Sequence, residues 1–181
     1  MRFFLFAFVV LPITGLSQPQ DVQIGLLRER VVQHAIVVIG SGGATLEVDG
    51  KKVAELAPND GLRLEASGST VKAKSLGGAW TAKKQLLVVP KGKGAGFRLR
   101  SLDHKMADRN YPGWLQASAT GGNLLLIDQV ELEEYVAGVV TSEAGKDKDP
   151  EYYKLQAVSC RTYALANLRK LTEEGVTFQS H

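Results

Sequence analysis

The chain has few of the residues that form disulfides or metal sites. It has 181 residues and one cysteine, Cys160, so no internal disulfide is possible. Its three scattered histidines have no metal-ligand spacing, and we predict neither a metal nor a cofactor. Cys160 lies in a small-residue helical pattern between Val158 and Ala164, which favours a buried packing role. A reactive thiol is the alternative, although no histidine lies near it in sequence.

The N-terminal apolar run is shorter than a typical membrane-spanning helix. Residues 3–13 are apolar and follow Arg2. In Gly15-Leu16-Ser17, small residues occupy the two positions that a signal peptidase recognises before its cleavage site. This pattern predicts a signal peptide over residues 1–17, cleavage before Gln18 and no stable membrane insertion afterwards. The protein is then expected in the periplasm, the cell wall or the extracellular space. An uncleaved anchor is the alternative.

The net charge is only +3, but basic residues recur along the middle of the chain. A basic face attracts anionic polymers, and an exported protein meets cell-wall glycan or membrane rather than nucleic acid. Solvated strand faces are the alternative explanation. The basic residues in question are Lys51, Lys52, Lys83, Lys84, Lys91, Lys93, Arg98, Arg100, Lys105 and Arg109.

Residues 18–129 are predicted to be the β-rich part of one domain. Short apolar or alternating segments are separated by turn residues, as in a protein built of half-buried strands. Asp49-Gly50 predicts a tight hairpin, and Asn59-Asp60-Gly61 and Gly77-Gly78 predict further turns. The predicted strands cover residues 22–27, 35–39, 45–48, 62–66, 70–73, 86–89, 97–100, 114–117 and 124–127.

Residues 130–181 are predicted to be the helical part of the same domain. The first helix should run from Glu131 to about Glu143. The second should begin with Asp149 as N-cap and Pro150 at the first helical position, and end before Gly175. Residues 144–148 link the two helices. The predicted fold class is therefore α+β, a β-rich region followed by a helix hairpin.

Glu143 continues an apolar helix face. The stripe at helical spacing consists of Leu132, Tyr135, Val136, Val139 and Val140. Burial on that face and the negative end of the helix dipole would keep the next residue, Glu143, protonated near neutral pH, as a general acid requires. Alternatively, the helix ends a turn early and Glu143 is a solvated loop residue.

Arg161 also occupies an apolar face, with Ala157 and Leu165 one turn away on either side. A guanidinium there is expected to have an anionic partner, for which Glu143, Glu133 and Glu134 are the candidates. Arg161 could instead extend to the surface or form a purely structural pair.

Two segments in this region resemble a known family. They are Val130-Glu131-Leu132-Glu133-Glu134-Tyr135-Val136-Ala137-Gly138-Val139-Val140-Thr141-Ser142-Glu143 and Lys154-Leu155-Gln156-Ala157-Val158-Ser159-Cys160-Arg161-Thr162-Tyr163-Ala164-Leu165. They resemble the stage II sporulation protein D and amidase-enhancer (SpoIID/LytB) family, whose pattern is roughly LEEYLxGVVxxE, a short loop and LKAQAVAARTYAL. Residues 111–115 resemble the family's Tyr-Arg-Gly-x-Leu segment.

The resemblance implies a bacterial cell-wall protein, and in enzymatic members a lytic transglycosylase that cleaves glycan strands stripped of stem peptides. The catalytic glutamate of those members corresponds to Glu143, and we expect Arg161, Gln156 and Tyr163 to shape or charge the site. The alternative is a non-catalytic protein that binds peptidoglycan and stimulates a cell-wall amidase. The expected partners are thus glycan strands and, in the alternative, an amidase.

Three features depart from the family pattern. Ala144-Gly145 replaces the usual Met-Pro after the glutamate, and Cys160 replaces an alanine. Family members continue with a Gln-x-Tyr-x-Gly segment, in some cases with a Cys/His zinc site, whereas this sequence stops soon after Phe178. We therefore expect a domain truncated at its C-terminus, assign no zinc site and regard His181 as a poor ligand candidate.

Overall fold

The computed structural model describes residues 21–92, 95–105, 107–145, 147–174 and 178–179. The predicted signal peptide and His181 lie outside this range. The strands are β1 Asp21–Leu26, β2 His34–Ile39, β3 Ala44–Val48, β4 Lys51–Leu56, β5 Gly61–Ser67, β6 Thr70–Ser75, β7 Gly78–Ala82, β8 Leu86–Pro90, β9 Phe97–Ser101, β10 Arg109–Tyr111, β11 Trp114–Thr120, β12 Asn123–Glu131 and β13 Phe178–Gln179. The helices are α1 Leu132–Ala144 and α2 Pro150–Glu174. The predicted α+β class is confirmed at this level.

Two sheets share one hydrophobic core. Among the described residues, the first sheet has the order β13-β1-β12-β11-β8-β3-β4 and the second the order β10-β9-β2-β5-β6-β7. Alternate residues of the central strands point inward, as the pleat of a half-buried strand requires. Leu115 of β11 and Leu64 of β5 are both fully buried in the shared core. The exclusion of this apolar surface from water drives the association of the two sheets.

The predicted Asp49-Gly50 hairpin is confirmed between β3 and β4. Both residues have positive φ, 50° and 80°, which is the type I′ geometry that fits the twist of a tight hairpin. The Asp49 carboxylate also accepts hydrogen bonds from the backbone amides of Lys83, Lys84 and Gln85, at 3.0, 2.8 and 3.1 Å. These bonds lower the pKa of Asp49 and fasten the hairpin to the segment before β8.

Each predicted strand corresponds to a strand in the structure, but β4, β7, β10 and β13 were missed. In the sheet order, β4 and β13 are the two edges of the first sheet, and β7 and β10 are the two edges of the second. An edge strand pairs on one side only and carries a weak burial pattern. In β4, for example, only Leu56 is buried. Hydrogen bonding to a neighbour, rather than alternation, makes these segments strands.

The two helices extend from the end of β12. Strand β12 pairs with β1 from Asp21↔Glu131 to Leu26↔Leu126, and α1 begins at the next residue, Leu132. Helix α1 packs on β12 and β1 of the first sheet, and α2 packs against α1. Glu143 lies in the last turn of α1, at the end that leads into the loop between the helices. No helix in the described part of the chain has the length and apolarity needed to cross a membrane.

Candidate functional site

Hydrogen bonds fix both ends of the loop between the helices. Helix α1 ends at Ala144, and Gly145 leaves it with φ of 69°, a value that disfavours residues with a Cβ. The Tyr153 hydroxyl donates to the Gly145 carbonyl at 3.0 Å and accepts from the Lys148 amide at 3.1 Å. Asp149 accepts from the Glu151 amide at 2.8 Å, which confirms it as the N-cap of α2.

Glu143 is exposed, so the prediction of a desolvated carboxyl is wrong. The helix does reach Ala144, as predicted, but it buries a narrower line than the sequence stripe suggests. The buried residues recur every four positions: Leu132, Val136, Val140 and Ala144. Tyr135 and Val139 lie beside this line and are half-buried. Glu143 continues their row in the last turn of α1, and its side chain is exposed to water.

Gln156 is the described hydrogen-bond partner of Glu143. Its amide Nε2 donates to Oε2 of Glu143 at 3.0 Å, across the interface between α1 and α2. The same nitrogen lies 3.9 Å from the Cys160 Sγ atom. Oε1 of Glu143 accepts no hydrogen bond from any described residue. The structure thus brings together two of the residues assigned from the motifs and leaves one carboxylate oxygen of Glu143 available to a ligand.

Tyr135 and Cys160 complete this cluster, although neither was predicted as a site residue. Burial, followed by the electrostatic effects of Cys160, Tyr163 and Glu143, raises the pKa of Tyr135. Burial and the nearby Glu143 carboxylate raise the pKa of the Cys160 thiol, against the Gln156 contact. The thiol is therefore disfavoured as a nucleophile. Cys160 is partly rather than fully buried, and it packs against the core as predicted for a structural residue.

Arg161 and Tyr163 have different positions relative to Glu143. Arg161 pairs with Glu133, one of the three predicted partners, through Nε–Oε1 and Nη2–Oε2 distances of 2.8 and 2.5 Å. It is half-exposed, with 38% of its side chain accessible, so the predicted anionic partner is present and the guanidinium also reaches the surface. Tyr163 is 66% exposed, and its electrostatic effect on Tyr135 places it near the same cluster. Arg161 therefore links α2 to α1 through Glu133 rather than through Glu143.

No metal centre is formed within the described residues. They contain no group of three or more histidine, cysteine, aspartate or glutamate side chains arranged to hold an ion. The chemistry available at the hairpin is that of one accessible carboxylate with an amide donor. Such a group can exchange a proton with a bound hydroxyl or ether oxygen.

Asp128 is a buried acid that the sequence analysis did not identify. It lies on β12 with 2% exposure, and its Oδ1 atom has no hydrogen-bond partner among the described residues. Burial and then the charge of Glu134 raise its pKa to about 7, against the effect of the nearby Gly113 amide. A Cβ on Gly113 would lie 2.3 Å from Oδ1 and 2.2 Å from the Gln129 carbonyl, so glycine is required at this approach.

Tyr111 and Trp114, the two aromatic residues of the segment 111–115, differ in their surroundings. Tyr111 stacks on Phe97 with ring centroids 5.3 Å apart and an interplanar angle of 25°. It also packs against the core, which gives it a structural role. Trp114 is half-buried and lines a cavity of about 280 Å³ with Gln129, Glu131 and Glu134.

The fold and site define an α+β protein in which a C-terminal helix hairpin presents one carboxylate. Residues 120–181, about a third of the chain, match the family model described as SpoIID, stage II sporulation protein. The predicted resemblance to that family is confirmed over this segment, which contains β12, α1 and α2. No curated protein and no solved structure gives a significant match.

Proposed function

We propose that the protein is a peptidoglycan lytic transglycosylase that cleaves glycan strands stripped of stem peptides, with Glu143 as its general acid and base. The observation that supports this proposal most directly is the 3.0 Å hydrogen bond from Gln156 to Glu143. This bond joins the last residue of the first motif to the second motif, so both motifs contribute to one acid. The family match over residues 120–181 supports the same assignment.

One carboxyl group is sufficient for this reaction. As an acid, Glu143 would protonate the glycosidic oxygen while the bond from that oxygen to C1 breaks. The 6-hydroxyl oxygen of the muramic acid residue would then bond to C1 and return its proton to Glu143, which closes a 1,6-anhydro ring. A hydrolytic glycosidase needs two carboxylates because water or the enzyme supplies the nucleophile. Here the substrate supplies it.

The test is to incubate the full chain with denuded glycan strands and to search for 1,6-anhydro products by mass spectrometry. In Glu143→Gln we expect the rate to fall by about 100-fold or more, the usual contribution of a positioned acid or base. Glu151→Gln is the matched control, because Glu151 is an exposed glutamate at the start of α2 that pairs with Lys154. Undiminished product formation by Glu143→Gln would remove this residue from the mechanism.

The second candidate is a non-catalytic, peptidoglycan-binding enhancer of a cell-wall amidase. The exposure of Glu143 favours it, because a general acid is ordinarily shielded from water, whereas polymer binding needs only an accessible carboxylate. Adding the protein to a purified amidase distinguishes the two functions. Stimulation that persists in Glu143→Gln, with no anhydro product from the unmodified chain, would support the enhancer. We place either activity outside the cytoplasm, because residues 1–17 predict a signal peptide.

A further inference from the structure

A groove with three cations lies on the outer face of the second sheet. It has a volume of about 470 Å³ and is lined by outward residues of β5, β6 and β7, chiefly Arg63, Glu65, Lys72, Lys74 and Thr81. The alternate residues of the same strands, such as Leu64 and Ala73, are buried in the core. The cations therefore extend from a backbone that is fixed by packing on its opposite face.

The strand register places like charges side by side. Arg63 is directly opposite Lys74 across the antiparallel pair β5 and β6, and Glu65 is opposite Lys72. Side chains in such positions have Cβ atoms about 5 Å apart, and like charges there are destabilising. The groove thus contains an unfavourable pair that a bound anion would relieve.

Two other cations of this sheet pair with an acid. Arg98 and Arg100 both pair with Asp108, at 3.7 and 2.7 Å. No ion pair is formed by Arg63, Lys72 or Lys74 with any residue that the structure describes. The charges of Arg63 and Lys74 are therefore available to a ligand from solution, whereas Lys72 lies opposite the Glu65 carboxylate.

We propose that this groove binds the carboxylate groups of a cell-wall glycan strand and holds the polymer away from the reacting bond. The proposal rests on the proposed function for its polymer, because muramic acid residues of denuded strands carry lactyl carboxylates. The planar guanidinium of Arg63 suits bidentate pairing with a carboxylate, and Lys72 and Lys74 add charge beside it. The groove lies on the sheet that does not lead into α1, so it acts as a separate binding site.

The test measures binding without cleavage. In a Glu143→Gln background, the full chain is equilibrated with insoluble denuded glycan at low ionic strength. We expect the double substitution Arg63→Gln and Lys74→Gln to weaken binding by about tenfold, and Lys72→Gln alone to weaken it less. The matched control is Arg30→Gln with Lys51→Gln, which removes the same two charge types from exposed positions outside the groove.

A second arm changes the ligand instead of the protein. Glycan whose carboxyl groups have been reduced to alcohols should bind the unsubstituted groove about as weakly as native glycan binds the double variant. The melting temperature of the double variant should not fall, since a like-charge pair is removed. Loss of glycan binding therefore would not reflect unfolding.

Three results would overturn the proposal: equal binding by the groove variant and its control, equal binding of native and reduced glycan, or binding only to a phosphate polymer such as polyglycerol phosphate. These outcomes are separate from failure of the proposed function. Groove-dependent binding without anhydro products would remove the lytic activity and leave the groove assignment intact. Anhydro products together with binding that does not depend on the groove would support the lytic activity and overturn the groove assignment.

Discussion

At the scale of single residues, the geometry of Glu143 depends on one amide. Gln156 holds Oε2 of the carboxylate at 3.0 Å and also approaches Cys160, so its side chain is fixed by two neighbours. Because Glu143 is exposed, few packing contacts restrict its rotamers, and the hydrogen bond gives most of its orientation. We therefore regard Gln156 as a positioning residue.

We expect Gln156→Ala to lower kcat for glycan cleavage by about tenfold, because a mispositioned acid loses part of its contribution to the transition state. KM should change little. Gln156→Glu should lower kcat as well, since it replaces the amide donor with a carboxyl beside Glu143. Ser159→Ala, an exposed position on the same helix, is the control. A large rise in KM at constant kcat would instead assign Gln156 to substrate binding.

The motif residues could be predicted from sequence more reliably than their environment. Glu143, Gln156 and Arg161 were assigned from their place in two segments, and the hairpin brings the first two into contact. The exposure of Glu143 could not be predicted, because a helical stripe does not reveal which of its residues the rest of the protein covers. Asp128 was missed since one acid in an apolar strand gives no periodic signal.

At the scale of elements, the helix hairpin is held by polar contacts at its two ends. Arg161 and Glu133 pair near the start of α1, where 38% and 57% of their side chains are exposed, so solvent screens the pair and its stabilisation is small. At the other end, Tyr153 bonds to both sides of the loop that follows Glu143. The two hydrogen bonds of the Tyr153 hydroxyl are therefore the better target for a test of how the hairpin is held.

Tyr153→Phe should raise the exchange rate of the Lys148 amide, which loses its acceptor, and lower the stability of the protein by about 1 kcal/mol. Hydrogen exchange followed by NMR measures the first effect, and urea unfolding measures the second. The control is Tyr152→Phe, because Tyr152 makes an edge contact with the Tyr153 ring but no described hydroxyl hydrogen bond. Equal exchange rates of the Lys148 amide in both variants would show that the Tyr153 hydroxyl does not protect it.

The edges of the sheets explain the limits of the secondary-structure prediction. The helix bounds were predicted to within a residue where the structure tests them, because an N-cap, a proline and a clear helical period mark them. The strands β4, β7 and β10 were missed because each pairs only with the strand before it and has a weak burial pattern. Strand β13 and the pairing of β1 with β12 were not predicted because the paired strands are distant in sequence.

At the scale of the whole molecule, Asp128 couples folding to pH. Its pKa in the folded protein is about 7, whereas the ordinary value is 3.8. Between these two values the folded state binds more protons than the unfolded state, so stability falls as the pH rises through this window. The largest effect is on the order of 4 kcal/mol.

Asp128→Asn should remove this fall, because an amide has no charge to desolvate. The measurement is the free energy of urea unfolding from pH 4.5 to pH 8, in which the unsubstituted protein loses stability and the variant changes much less. Asp147→Asn, at an exposed loop position with positive φ that asparagine tolerates, should retain the slope. A slope in Asp128→Asn equal to that of the parent chain would assign the pH dependence to other groups.

The pairing of β1 with β12 also affects how the molecule folds. The strand Asp21–Leu26 has its antiparallel neighbour at Asn123–Glu131. The first sheet therefore closes only after the chain up to Glu131 is available, and contacts so distant in sequence slow the search for the native state. A chain that is slow to close spends longer in a form that a translocation machinery can thread, which suits the predicted export.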